Sequence, residues 1–104
     1  MFVVILTYVA PLEEIDAAMR AHMRYLDAGY ASGQFIASGR RKPRTGGVIL
    51  ARGESAEAVE ALVAQDPFVS GGLARAEVIQ FNTSQFAVGF EPFADPSGRA
   101  MRSP

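Results

Sequence analysis

"FVVILTYVAPLEEIDAAMRAHMRYLDAGY", Phe2 to Tyr30, contains two hydrophobic periods in succession. Phe2 to Tyr8 is a nearly unbroken apolar run rich in β-branched and aromatic residues, which reads as a strand buried on both faces. Past Pro11 the apolar residues Leu12, Ile15, Met19, Met23, Leu26 and Tyr30 recur at steps of three and four, while Glu13, Asp16, Arg20, Arg24 and Asp27 fall on the other side. That spacing predicts an amphipathic helix from Leu12 to about Ala31.

The same signals continue downstream. "QFIASG" reads as a second strand ending at Gly39, followed by the basic loop "RRKPRTGG" and a third strand, "VILAR", that runs to Gly53. Ser55 is a good N-cap for a second helix, "AEAVEALVAQ", with Glu57 in its first turn and Pro67 marking its end. A "GGL" turn leads into a fourth strand, "RAEVIQFN". The order β-α-β-β-α-β is the ferredoxin-like α+β plan, expected over residues 1–84, with 85–104 as a C-terminal extension.

Composition narrows the functional classes. A chain of 104 residues, 49% hydrophobic and 20% charged, has the profile of one globular domain. With no cysteine and one histidine there is no thiolate chemistry and no cluster of metal-ligand spacing, so neither metal nor cofactor is expected. A net charge of −1 gives no general footprint for nucleic acid or anionic membrane. The strands also lack basic residues beside aromatics, as a sheet reading single-stranded RNA would need. "GESAEA" lacks the glycine pattern of either phosphate-binding loop. The apolar first ten residues lack a basic leader and are too short to span a bilayer, which predicts a cytoplasmic protein.

Two helices cover one face of a four-stranded sheet, yet "FVVIL" and "VILA" are apolar on both faces. The second face therefore calls for a homodimer or higher oligomer. Phe86, Phe90 and Phe93, in a tail broken by Gly89 and Pro92, are expected to pack on the partner subunit.

Winding the first helix at about 100° per residue places His22 inside the apolar stripe, between Ile15, Met19, Leu26 and Gly29. The same rotation puts Asp66 in line with Val59, Leu62 and Val63 on the core side of the second helix. An aspartate in a helix's last turn is electrostatically disfavoured, so a cationic partner is expected, and His22 is the residue that faces it. A carboxylate on one imidazole nitrogen fixes the tautomer and leaves the other nitrogen for general acid or base work; the same pair also satisfies itself in a small core without any chemistry. Tyr8, Ser38 and Phe68 lie where they would line a cavity beside this pair. Of the basic run Arg40, Arg41, Lys42 and Arg44, Arg40 is the candidate for capturing an anionic substrate at its rim, against a plain solvated loop.

The segments "AHMRYL", "ASG", "GGVILARGES" and above all "DPFVSGGLARAEVIQF" resemble the YciI-like (YCII-related) family over about residues 1–83. The resemblance implies a dimeric α+β barrel whose active site is built on a histidine and an aspartate, matching His22 and Asp66. One branch of that family is a dehydrochlorinase acting on a chlorinated hydroxyhydroquinone. The expected function is thus a cofactor-free lyase or isomerase acting on a small cyclic metabolite. The alternative is a non-catalytic dimeric domain for small-ligand binding or assembly. A haem- or quinone-type monooxygenase, with His22 as axial ligand in the haem case, is a further class that an absorbance spectrum separates.

Overall fold

A computed structural model describes residues 1–101. The chain runs β1 (Phe2–Tyr8), α1 (Leu12–Ala31), β2 (Phe35–Arg40), β3 (Gly46–Ala51), α2 (Ala56–Val63), α3 (Pro67–Ser70) and β4 (Ala74–Gln80). The strands form one antiparallel sheet in the order β2-β3-β1-β4. Since β1 pairs antiparallel with both β3 and β4, the units β1-α1-β2 and β3-α2-β4 are two interleaved crossovers, each leaving one strand between its own two. This is the ferredoxin-like arrangement expected from the order of elements.

The alternation along β1 assigns the faces. Phe2, Val4 and Leu6 are buried under the helices with Ile49 and Ala51 of β3, and Phe35, Leu26, Val59 and Val63 complete that cluster. Ile15, Phe68 and Ala74 form a second apolar cluster, with Tyr8 and Met19 packed on it. Val3 and Ile5 point the other way, paired with Leu50 and Val48 on one side and with Ile79 and Glu77 on the other. Ile79 and Phe81 are exposed on that open face. The strands are thus apolar on both faces, with one face covered.

The stripe of α1 is narrower than its periodicity suggests: Ile15, His22, Leu26 and Gly29 are buried, whereas Leu12, Met23 and Tyr30 are exposed. Gly29 is required there, because a Cβ would run into the ring of Phe35. Ser55 caps α2 as expected, its hydroxyl accepting from the Ala58 N–H at 3.1 Å.

Around Asp66 the structure corrects the expectation. The second helix ends at Val63, and Asp66 is the N-cap of α3, with Pro67 in its first turn. Proline suits the first helical position because its missing N–H would have had no partner there, so "DP" begins a helix here where it was read as ending one. Asp66 therefore faces a helix start, where a carboxylate is stabilised, and its charge needs no cation to excuse it.

The C-terminal segment folds back on its own chain. β5 (Gln85–Ala87) and β6 (Arg99–Met101) pair in parallel, joined through a 3-10 turn at Glu91–Phe93. Asp95 holds the segment, accepting from the Thr83 N–H at 2.6 Å, from the Thr83 hydroxyl at 3.0 Å and from the N-terminal ammonium at 3.4 Å. Arg52 donates to the Pro92 carbonyl at 2.8 Å. The rings of Phe86, Phe90 and Phe93 form a chain of contacts, Phe86 to Phe90 at 6.2 Å and Phe90 to Phe93 at 5.5 Å between centroids.

Candidate active site

His22 and Asp66 meet at the join of the two apolar clusters. On α1, His22 lies between Met19 of one cluster and Leu26 of the other; Asp66 lies likewise between Val63 and Phe68. Nδ1 of His22 is 2.8 Å from Oδ1 of Asp66, with His22 8% and Asp66 1% exposed. The same Oδ1 accepts the Phe68 N–H at 2.9 Å. One carboxylate oxygen thus caps α3 and orients the imidazole, which ties the helix start to the ring position.

The ring is also held by stacking. Phe68 lies parallel to His22, 4.0 Å between centroids and 9° between planes, and Tyr8 meets Phe68 edge-on at 5.8 Å. Tyr25, three residues along α1, stands at 6.5 Å on a near-parallel plane and donates its hydroxyl to the Leu62 carbonyl at 2.7 Å. Burial, with the nearby Asp66 charge adding to it, pushes the Tyr25 hydroxyl well above the usual phenol range, so it stays a donor. Tyr25 went unmarked in the sequence, although its spacing from His22 puts both on one face of α1.

With Nδ1 donating to Asp66, the neutral imidazole carries its lone pair on Nε2. Nε2 has no hydrogen-bond partner among the described residues and is not one of the sealed polar atoms without a partner, which are Asp66 Oδ2 and Arg44 Nε. His22 lines a cavity of about 200 Å³ between α1 and the sheet. Leu6, Tyr8, Met19, Leu26, Ile49 and Phe68 make its apolar wall, with Ser38 and Arg40 from β2 at the polar side. Gly39, Gly46 and Gly47 border it, and Gly47, opposite Leu6 and Arg40 on the helix face, puts no side chain into the space. Gly46 is doubly constrained, since a Cβ there would strike the Leu6 carbonyl.

All six residues singled out in the sequence line this one region: His22, Tyr8, Ser38, Arg40 and Phe68 directly, and Asp66 behind the imidazole. The Ser38 hydroxyl is engaged by the Tyr30 hydroxyl at 2.6 Å. The basic residues separate. Arg44 pairs with Asp16, whose carboxyl it holds below the usual range, and Arg41 donates to the Thr7 hydroxyl at 3.1 Å. No group of three or more metal-ligating side chains exists among the described residues, and no described helix is long and apolar enough to cross a membrane.

The YCII-related domain matches the chain over residues 1–82, a span that includes His22 and Asp66 and stops before β5. Among solved structures, the 5-chloro-2-hydroxyhydroquinone dehydrochlorinase from Burkholderia phenoliruptrix AC1100, in complex with 2,5-dihydroxybenzoquinone, is similar with a TM-score of 0.66 and 24% identity. The likeness covers 79% of this chain and 94% of that one, and it concerns the fold. No curated protein matches the sequence.

Proposed function

The chain belongs to the YCII-related family, and on that footing we propose that it is a small-molecule enzyme, a lyase or isomerase in which His22 transfers a proton under the direction of Asp66. The observation that carries this is the buried pair at 2.8 Å whose imidazole lines a cavity and whose second nitrogen has no partner among the described residues. Asp66 accepts the hydrogen bond from Nδ1–H and stays ionised, Nε2 accepts a proton from the substrate, and the imidazolium so formed is stabilised by the carboxylate already bonded to it. The Phe68 stack and the α3 cap hold the ring still, so little is lost to reorganisation during transfer.

The cavity suits one substituted ring. A site of roughly 150 Å³ holds benzene, and the space here is about 200 Å³ with largely apolar walls. The structural neighbour acts on a chlorinated hydroxyhydroquinone, which supports ring hydroxyls as the source of the proton. Loss of HCl from such a ring balances when two hydroxyl protons are removed, one proton is delivered to the chlorinated carbon, and chloride then leaves that carbon with its bonding pair; one base serves the hydroxyl deprotonation.

The same reading includes a homodimer. The open face, with Val3, Ile5, Val48, Leu50, Ile79 and Phe81, is the apolar surface a second copy would cover.

The test is turnover of hydroxylated and chlorohydroxylated hydroquinones, followed by chloride release and by deuterium uptake from D₂O. His22→Gln should cut the rate by roughly 10²-fold or more with the fold kept. Undiminished turnover in His22→Gln would move the chemistry elsewhere. A binding domain without turnover, the alternative, would take up the same rings and exchange no proton.

A further inference from the structure

We propose that Arg40 is the anion-binding group of this cavity and that the substrate is a single ring bearing an oxyanion, a carboxylate or an ionised hydroxyl. This rests on the cavity beside His22 being the substrate site.

Strand register makes the choice among four neighbouring cations. Ser38 lies opposite Ile49, a buried core residue, and Arg40 lies opposite Gly47, so both project on the helix side of the sheet, where the cavity is. Arg41, one residue on, falls on the other face and is bonded to Thr7 there. Arg44 is committed to Asp16, a carboxylate that also feels the Arg40 charge. Lys42 does not line the space. Arg40 remains, exposed at the mouth, with no hydrogen bond or ion pair among the described residues.

The rest of the cavity explains why a cation belongs there. Its walls are apolar, and the charged group behind the imidazole is the buried Asp66 carboxylate, which repels an anion. A ring anion is therefore admitted only if a positive group faces it from the opposite side. A guanidinium gives two parallel donors to one oxyanion, and Gly47, opposite Arg40, leaves room for its long side chain beside a ring. When His22 takes a proton from a ring hydroxyl, the negative charge spreads through the ring to the oxygen on the far side, which is the one Arg40 is placed to meet.

The experiment measures binding, so it does not depend on turnover. Benzoate and 4-nitrophenolate are compared with their neutral counterparts benzamide and nitrobenzene, on the wild type, Arg40→Met and Arg40→Lys, while the imidazole resonances of the single histidine are followed. The expected result is that at least one anion binds about tenfold more tightly than its neutral counterpart. Arg40→Met should bring that pair within about twofold. Arg40→Lys should keep part of the preference, and binding should move the His22 resonances. Which anion is preferred tells a carboxylate substrate from a phenolate one. Equal affinities, a preference that survives Arg40→Met, or no binding at millimolar concentration would each overturn the assignment. If all probes move the His22 signals without preference, the cavity stands and Arg40 fails. If the preference is present and the His22 signals stay fixed, the anion sits elsewhere and the proposal fails with it. The proton-transfer reading fails separately, through undiminished deuterium uptake in His22→Gln.

Discussion

Replacing Asp66 by alanine should cost the fold about 3 kcal/mol, a magnitude that follows from the two bonds on its Oδ1. Loss of the cap on the Phe68 N–H costs about 1 kcal/mol, as for other N-cap aspartates. Loss of the acceptor for a nearly buried imidazole N–H adds on the order of 1–3 kcal/mol, because that donor has no other partner and little access to water. In a domain of this size each kcal/mol shifts the melting temperature by roughly 4–8 °C, so Asp66→Ala should melt roughly 12–24 °C lower. Asp66→Asn is the informative companion. Asparagine is as good an N-cap as aspartate and keeps an oxygen in place, so it should lose about 1–2 kcal/mol, mainly the charge-assisted part of the imidazole bond and an unpaired amide where Oδ2 was. Thermal unfolding followed by circular dichroism at one fixed protein concentration measures both, the concentration being fixed because association raises the melting point. If Asp66→Ala melts within about 0.5 kcal/mol of wild type, the two bonds do not carry the stability assigned to them. If Asp66→Asn falls as far as Asp66→Ala, the cap is not what the carboxylate supplies.

Other outcomes follow from the same contacts. Gly46→Ala should destabilise by about 2 kcal/mol, since its Cβ meets the fixed Leu6 carbonyl, and an unchanged melting temperature would show that β1 and β3 separate freely. Sedimentation should give twice the 11.1 kDa chain mass, and Ile79→Lys on the open face should lower it without unfolding the chain; a wild-type monomer would remove the proposed dimer. The Asp95 carboxyl is held below its ordinary value, first by the Thr83 N–H and then by its hydroxyl, so its contribution is complete above the unfolded value of about 4 and is lost as pH falls through the lower folded value. Amide exchange of the 85–101 segment should therefore speed up selectively in strong acid, and Asp95→Asn should show the fast exchange at neutral pH; equal protection in both proteins would contradict the clasp.

Much of this was legible because it is periodic. The continuous run Phe2 to Tyr8 and the three-and-four spacing after Pro11 place β1 and α1, and the rotation of α1 alone puts His22 among core residues. Asp66 was found on the right face for a wrong local reason. Pro67 both ends helices and begins them, and here Asp66 before it serves as the N-cap, so the pair begins α3, whose Phe68 then stacks on His22. The cavity itself was not legible. It depends on Gly47 sharing the helix face with Leu6 and Arg40 and on the alternation that separates Arg40 from Arg41, and both require the register of β3 against its neighbours. Tyr25 was silent for a similar reason, since its hydroxyl partner is a backbone carbonyl on another helix.

The tautomer of the single histidine tests the central claim without any substrate. Nitrogen-15 NMR of the neutral ring should find the proton on Nδ1, hydrogen-bonded to Asp66, and a bare Nε2 facing the cavity, with this preference weakened in Asp66→Asn. A proton on Nε2 instead, unaffected by Asp66→Asn, would contradict it, because the nitrogen assigned to take the substrate proton would already be occupied.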